Sequence, residues 1–106
     1  MLYQKALSKL GSKMTTMRFK FTPHAKEKLQ KELYKFGINE NIVIQTILYP
    51  DELLKDTKTR RFVAVNYSKR IAVIYEPNSE ALIITIIYSS MLDKIIKRRK
   101  RSGRWI

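Results

Sequence analysis

The chain has 106 residues, with 22 lysines and arginines against 9 acids, one histidine and no cysteine, and a formal charge of +13 at neutral pH. That length gives one domain with a core of several strands and two helices, and the missing cysteine excludes disulfides, thiolate metal sites and cysteine nucleophiles. A positive excess of this size favours polyanionic partners, nucleic acid foremost.

Residues 1–16 read as an extension. Tyr3, Ala6, Leu7 and Leu10 share a helical face that Gly11 and Ser12 cut short, and Lys5, Lys9 and Lys13 break up any apolar run. Such a segment is no signal peptide, so a cytoplasmic protein is expected. Met14 and Met17 are alternative starts for the domain itself. Residues 17–22 ("MRFKFT") alternate Met17, Phe19 and Phe21 with Arg18, Lys20 and Thr22, the period of a half-buried strand. Thr22 then suits a helix cap and Pro23 the first helical position, which leaves His24 on the first turn. Ala25, Leu29, Leu33 and Phe36 form the apolar stripe of that helix, and Gly37 ends it. Asn39 is the cap of a second helix, stapled by Ile38 and Val43, with Val43, Ile44, Ile47 and Leu48 as its buried face. The β-branched run Ile42, Val43, Ile44 leaves a strand as the alternative there. Residues 49–58 read as a loop whose Asp51, Glu52 and Asp56 are solvated or pair with Lys55 and Lys58.

Three strands follow, at about 59–68, 69–76 and 81–89, joined by links short enough for an antiparallel meander. The last is apolar on both faces, so it belongs inside the sheet, with strand 17–22 on its other side. Its apolar run is too short to cross a bilayer, and the Leu92, Ile95, Ile96 cluster is too small for a membrane-binding face. Residues 94–104 carry seven basic side chains and no acid. They read as a polybasic tail, 93–106, beyond a domain of 17–92. The expected fold is α+β: strand, helix, helix, then a three-stranded antiparallel meander, with two helices packed on one face of a four-stranded sheet.

Several residues are candidates for chemistry. His24 stands among helix N-terminal amides that attract a phosphate. Arg60, Arg61, Lys69 and Arg70 lie on or beside the meander, where guanidinium groups hold phosphate oxygens in paired hydrogen bonds. Tyr67, Tyr75 and Tyr88 offer rings for stacking or a phenol donor. In the tail, Lys97, Arg98, Arg99, Arg101 and Arg104 suit a nucleic-acid backbone, and Trp105 suits a base. Each has a plainer reading as well: a surface histidine, edge-protecting cations, core-rim tyrosines, a solvated tail. No glycine-rich phosphate loop, nucleophile elbow or metal-ligand set occurs, so neither a metal nor a cofactor is expected. An enzyme built on this chain would be a metal-independent ribonuclease whose nucleophile is the substrate's own 2′-hydroxyl.

Five short stretches, "FTPHAKEKL" (21–29), "FGI" (36–38), "LYPD" (48–51), "VIYE" (73–76) and "IITIIY" (83–88), carry a resemblance. Over roughly 19–89 the chain resembles the domain-of-unknown-function 4258 family of small bacterial and archaeal proteins, which is similar to the RelE/ParE-type toxins. The resemblance implies two helices on one face of a sheet and a basic open face or edge that meets RNA. Toxins of the wider group cut mRNA without metal, often on the ribosome, and are neutralised by a partner covering the basic surface. The family's histidine falls on His24 and its strand cations on Arg60 or Arg61, with Tyr75 and Thr85 on its later strands. The leading expectation is therefore a RelE-like endoribonuclease acting on RNA. His24 is its general acid/base, Arg61 and Arg70 clamp the phosphate, and Tyr75 is an auxiliary donor. Two other readings stand beside it: a non-catalytic RNA- or DNA-binding module, and a basic domain that docks an acidic, antitoxin-like protein.

Overall fold

The computed structural model describes residues 18–106. The extension 1–16, its helical face and both alternative starts lie outside the described residues. Strand β1 (Arg18–Phe21) runs into helix α1 (Pro23–Lys31), and the Thr22 hydroxyl caps α1 by accepting the Ala25 N–H at 3.1 Å. Helix α1 is shorter than its stripe predicts. The chain tightens into a 3₁₀ turn (Leu33–Phe36) and leaves it through Gly37, whose φ of 75° is a left-handed conformation that glycine adopts without strain. Ala25, Leu29 and Leu33 are buried as the stripe requires, but Phe36 ends on the surface. Helix α2 (Glu40–Leu48) starts where Asn39 Oδ1 accepts the Ile42 N–H at 2.9 Å, which removes the strand alternative. Its Val43, Ile44 and Ile47 are buried and Leu48 half-buried.

Among the described residues the sheet has five strands, not the expected four. Strand β2 (Glu52–Lys55) lies within the stretch read as an acidic loop, and its Leu54 is buried opposite Val63. Strands β3 (Phe62–Asn66), β4 (Ile71–Pro77) and β5 (Glu80–Tyr88) form the expected antiparallel meander. The strand order is β1-β5-β4-β3-β2, with β1 parallel to β5, so the apolar β5 is flanked on both sides. Side-chain alternation separates two cores. Ile71, Val73, Tyr75, Ile83 and Ile86 face α1 and α2, while Val63, Val65, Ala72 and Leu54 face the other way.

That second face is covered by the segment read as a tail. Residues Leu92–Arg101 form helix α3, which buries Leu92 and Ile96 against Leu54, Val63, Val65 and Ala72. Beyond α3 the chain pairs with the outer edge of β2. Lys55 N donates to Ile106 O at 2.9 Å and Ile106 N to Lys55 O at 3.0 Å. The molecule is thus a sheet with helices on both faces, and the basic segment belongs to its core.

Candidate nucleic-acid interface

A bulge in β5 sets the position of His24. Tyr75 pairs with Ile83 and Ile74 with Thr85, so Ile84 is an extra residue with no counterpart in the β4 register. Thr22 Oγ1 donates to the Ile84 carbonyl at 3.0 Å, and the same oxygen caps α1. One hydroxyl therefore fixes the start of α1 on the bulge. β1 ends level with Ile83, which leaves Thr85 reachable at the sheet edge, and His24 Nε2 lies 3.1 Å from Thr85 Oγ1. The imidazole itself is exposed.

Ile86 faces α1 and α2, so its neighbours Thr85 and Ile87 point to the α3 side. There a groove of about 400 Å³ runs between β5 and α3, lined by Ile87, Ile95, Arg98, Arg99 and Ser102. Arg99 also lies over the Trp105 ring, with its guanidinium carbon 5.4 Å from the centroid, so its charge is held in one place.

The outward surface of α3 is cationic apart from Asp93 in its first turn. Lys94, Lys97, Arg98 and Arg101 recur at i, i+3, i+4 and i+7, the spacing of one helical stripe, and all four are exposed. They extend over about 10 Å of helix axis. No carboxylate pairs with any of them among the described residues, whereas Lys100, off the stripe, is paired with Glu52. Burial of Leu92, Ile96 and Trp105 on one side is what turns the stripe outward.

The remaining candidates are scattered. Arg61 Nε donates to Glu76 at 3.0 Å at the start of β3, with β4 lying between it and the strand that carries Thr85. Two strand spacings, about 10 Å, therefore separate β3 from the His24 contact. Arg60 and Arg70 are exposed in the turns before β3 and β4, both with left-handed backbones (φ 66° and 59°), and Lys69 is exposed beside Arg70. Tyr75 lies in the core under α1 and α2, only 6% exposed, edge-on to Phe62, and burial pushes its phenol pKa up. This corrects its expected place in an open groove with His24. Tyr88 is half-buried and stacked on Phe36 with ring centroids 4.0 Å apart.

Trp105 and Arg104 are corrected too. Trp105 is 2% exposed and cannot stack on a base. Its indole Nε1 donates to Asp56 Oδ2 at 3.2 Å, and Arg104 Nε reaches both Asp56 oxygens at 3.0 and 2.9 Å. Asp56 is therefore a buried anchor instead of a solvated loop acid, and Arg104 is committed to it. Burial alone would push the Asp56 carboxyl up. The N–H groups of Thr59, Arg104, Lys58 and Trp105 outweigh that and hold it well below the usual carboxylate range.

The structure thus brings His24 to Thr85 on β5, while Arg98 and Arg99 line a groove whose walls do not include that pair, and Arg61 and Tyr75 stand apart from it. Sequence reasoning missed Thr85 as the contact of His24, since the pair is separated by 61 residues. No group of His, Asp or Glu among the described residues could hold a metal ion, and no helix among them is long and apolar enough to cross a membrane. The fold and the cationic face define an α+β domain with a mixed five-stranded sheet and one strongly basic helix. No protein-family model, curated protein or solved structure matches the chain.

Proposed function

We propose that this is a RelE-like RNA-binding domain that grips single-stranded RNA through α3. The observation that carries the proposal is the stripe Lys94, Lys97, Arg98 and Arg101, four exposed cations without acidic partners on a helix whose other side is buried. A chain that used these residues only for solubility would intersperse both signs. Beside the stripe, the floor formed by Ile87 and Ile95 and the guanidinium groups of Arg98 and Arg99 offer an unpaired base an apolar surface and a planar cation. An acidic antitoxin-like protein covering α3 would compete with RNA for the same cations. Titrating a labelled oligoribonucleotide over a range of salt tests the proposal. Neutralising four phosphates on a single strand predicts a log–log slope of roughly −3. Affinity that does not change with salt would contradict it.

A second reading, metal-independent cleavage, is favoured by the exposed His24 beside Thr85, on the strand that also supplies Ile87 to the α3 groove. The substrate's 2′-oxygen would attack the adjacent phosphorus while His24 accepts its proton. The P–O5′ bond breaks, and the departing 5′-oxygen takes a proton from water. The products are a 2′,3′-cyclic phosphate and a 5′-hydroxyl. Arg98 and Arg99 would hold the charge that builds on the phosphoryl oxygens. Incubation with RNA in EDTA tests this: cyclic-phosphate ends that disappear with His24→Ala support cleavage. Binding without products, unchanged by that substitution, leaves the binding function alone.

A further inference from the structure

The 3₁₀ turn places an aromatic ring on the surface in a fixed orientation. Phe36 is 51% exposed, yet one of its faces is covered by Tyr88, with the rings 4.0 Å apart and 13° from parallel. About half of the Phe36 surface stays in solvent, so folding uses only one side of the ring. Gly37 turns the chain immediately after it, and Tyr88 is paired within the sheet with Ile71, so each ring of the stack is carried on a defined stretch of backbone. The outer face of Phe36 is left as a flat apolar platform.

Cations lead up to it. Arg70 precedes Ile71, the cross-strand partner of Tyr88, and it is exposed and has no acidic partner among the described residues. Ser89 joins this corner to α3. Its N–H donates to Arg70 O at 3.1 Å, and its carbonyl accepts the Leu92 N–H at 3.2 Å. Through Ser89 the start of α3 is thus tied to Arg70, whose next residue, Ile71, pairs with Tyr88, while the acids of this corner, Glu52, Asp51 and Asp93, gather around Tyr67. Arg70 also holds a left-handed φ of 59°, a conformation that costs an arginine energy and would suit glycine or asparagine better.

We infer that the Phe36–Tyr88 stack is a nucleobase platform, taking one unpaired base of a single strand whose neighbouring phosphate is held by Arg70. The inference rests on the RNA-binding function above and extends it to a second site on the far side of the sheet end. Every nucleobase has a π-face, so the platform would accept any base and would not read sequence.

The test uses the full chain and a set of short single-stranded oligoribonucleotides, each with 2-aminopurine at a different position. Stacking on Phe36 should quench the fluorophore at one terminal position. Phe36→Ala should abolish that quench and weaken binding about five-fold to a hundred-fold with the salt slope unchanged. Phe36→Leu, which keeps apolar bulk without a ring, should behave like the alanine variant, and matched melting temperatures would exclude misfolding. Arg70→Gly should lower the salt slope by about 0.7 while leaving stability unchanged or raised. Salt-dependent binding with no quench at any position, or a quench that survives in Phe36→Ala, would overturn the platform and leave the α3 interface standing. Failure of the unaltered protein to bind any of the oligomers would overturn both.

Discussion

Trp105 and Asp56 meet in the interior, the indole N–H donating to a carboxylate oxygen at 3.2 Å across 49 residues of sequence. With Arg104 chelating the same carboxylate, this contact closes the end of α3 onto the outer edge of β2. Trp105 supplies the largest fully buried side chain of the molecule, so its removal opens a cavity that cannot readily refill. Trp105→Ala should cost about 3–5 kcal/mol in urea unfolding. Trp105→Phe, which keeps most of the apolar volume and loses the N–H, should cost clearly less.

Asp56 makes stability depend on acid. Its folded-state pKa lies below the ordinary value of 3.8, so its contribution is fully present above that pH and is lost as pH falls through the folded pKa. Thermal melting should therefore show a marked drop in stability below about pH 4. Asp56→Asn should be less stable at pH 7 and should show a weaker acid dependence. Tyr67 acts at the other end of the scale: burial, then its hydrogen bond to Glu52, pushes its phenol up to about 12. Its contribution is whole below pH 10 and is lost as pH rises through 12.

Much of the first half of the fold is legible because its signals are local. Thr22 and Asn39 cap the helices beginning one residue later, and the alternation in β1 needs only its own few residues. Strand β2 is not legible, since four residues between Asp51 and Asp56 show too little alternation to outweigh the acids around them. Helix α3 is hidden for a different reason. Leu92, Ile95 and Ile96 do have helical spacing, but seven basic residues mask it, and the value of three apolar side chains depends on a sheet face that β2, β3 and β4 assemble. The cationic face was therefore visible in composition, while its orientation was not. The site has the same division. His24 on a first helical turn follows from Thr22 and Pro23, but its contact with Thr85 depends on a bulge at Ile84 that nothing near His24 encodes.

Arg60 offers a test that separates function from stability. Its φ of 66° is left-handed, its side chain is exposed, and it makes no ion pair among the described residues. Arg60→Gly should leave the melting temperature unchanged or raise it, by up to about 1 kcal/mol of stability. Since Arg60 lies at the end of the sheet away from Arg70, the substitution should leave RNA affinity within about two-fold, a loss of 0.4 kcal/mol or less at ordinary salt.

Reversing charge on the stripe should act strongly and specifically. Lys97→Glu with Arg98→Glu should weaken RNA binding by more than ten-fold and flatten the salt slope by about 1.4, because two single-strand phosphate contacts are lost. The same pair should leave urea unfolding nearly unchanged, since both side chains are exposed and unpaired. A double variant that binds as tightly as the parent, measured by fluorescence anisotropy, would remove α3 from the interface.

Amide chemical-shift mapping during titration with a single-stranded oligoribonucleotide tests the central claim most directly. Perturbations concentrated on Lys94, Lys97, Arg98 and Arg101, running on through Ser89 to Arg70, are the predicted result. Shifts confined to Arg60, Arg61 and the start of β3, with α3 unmoved, would contradict it.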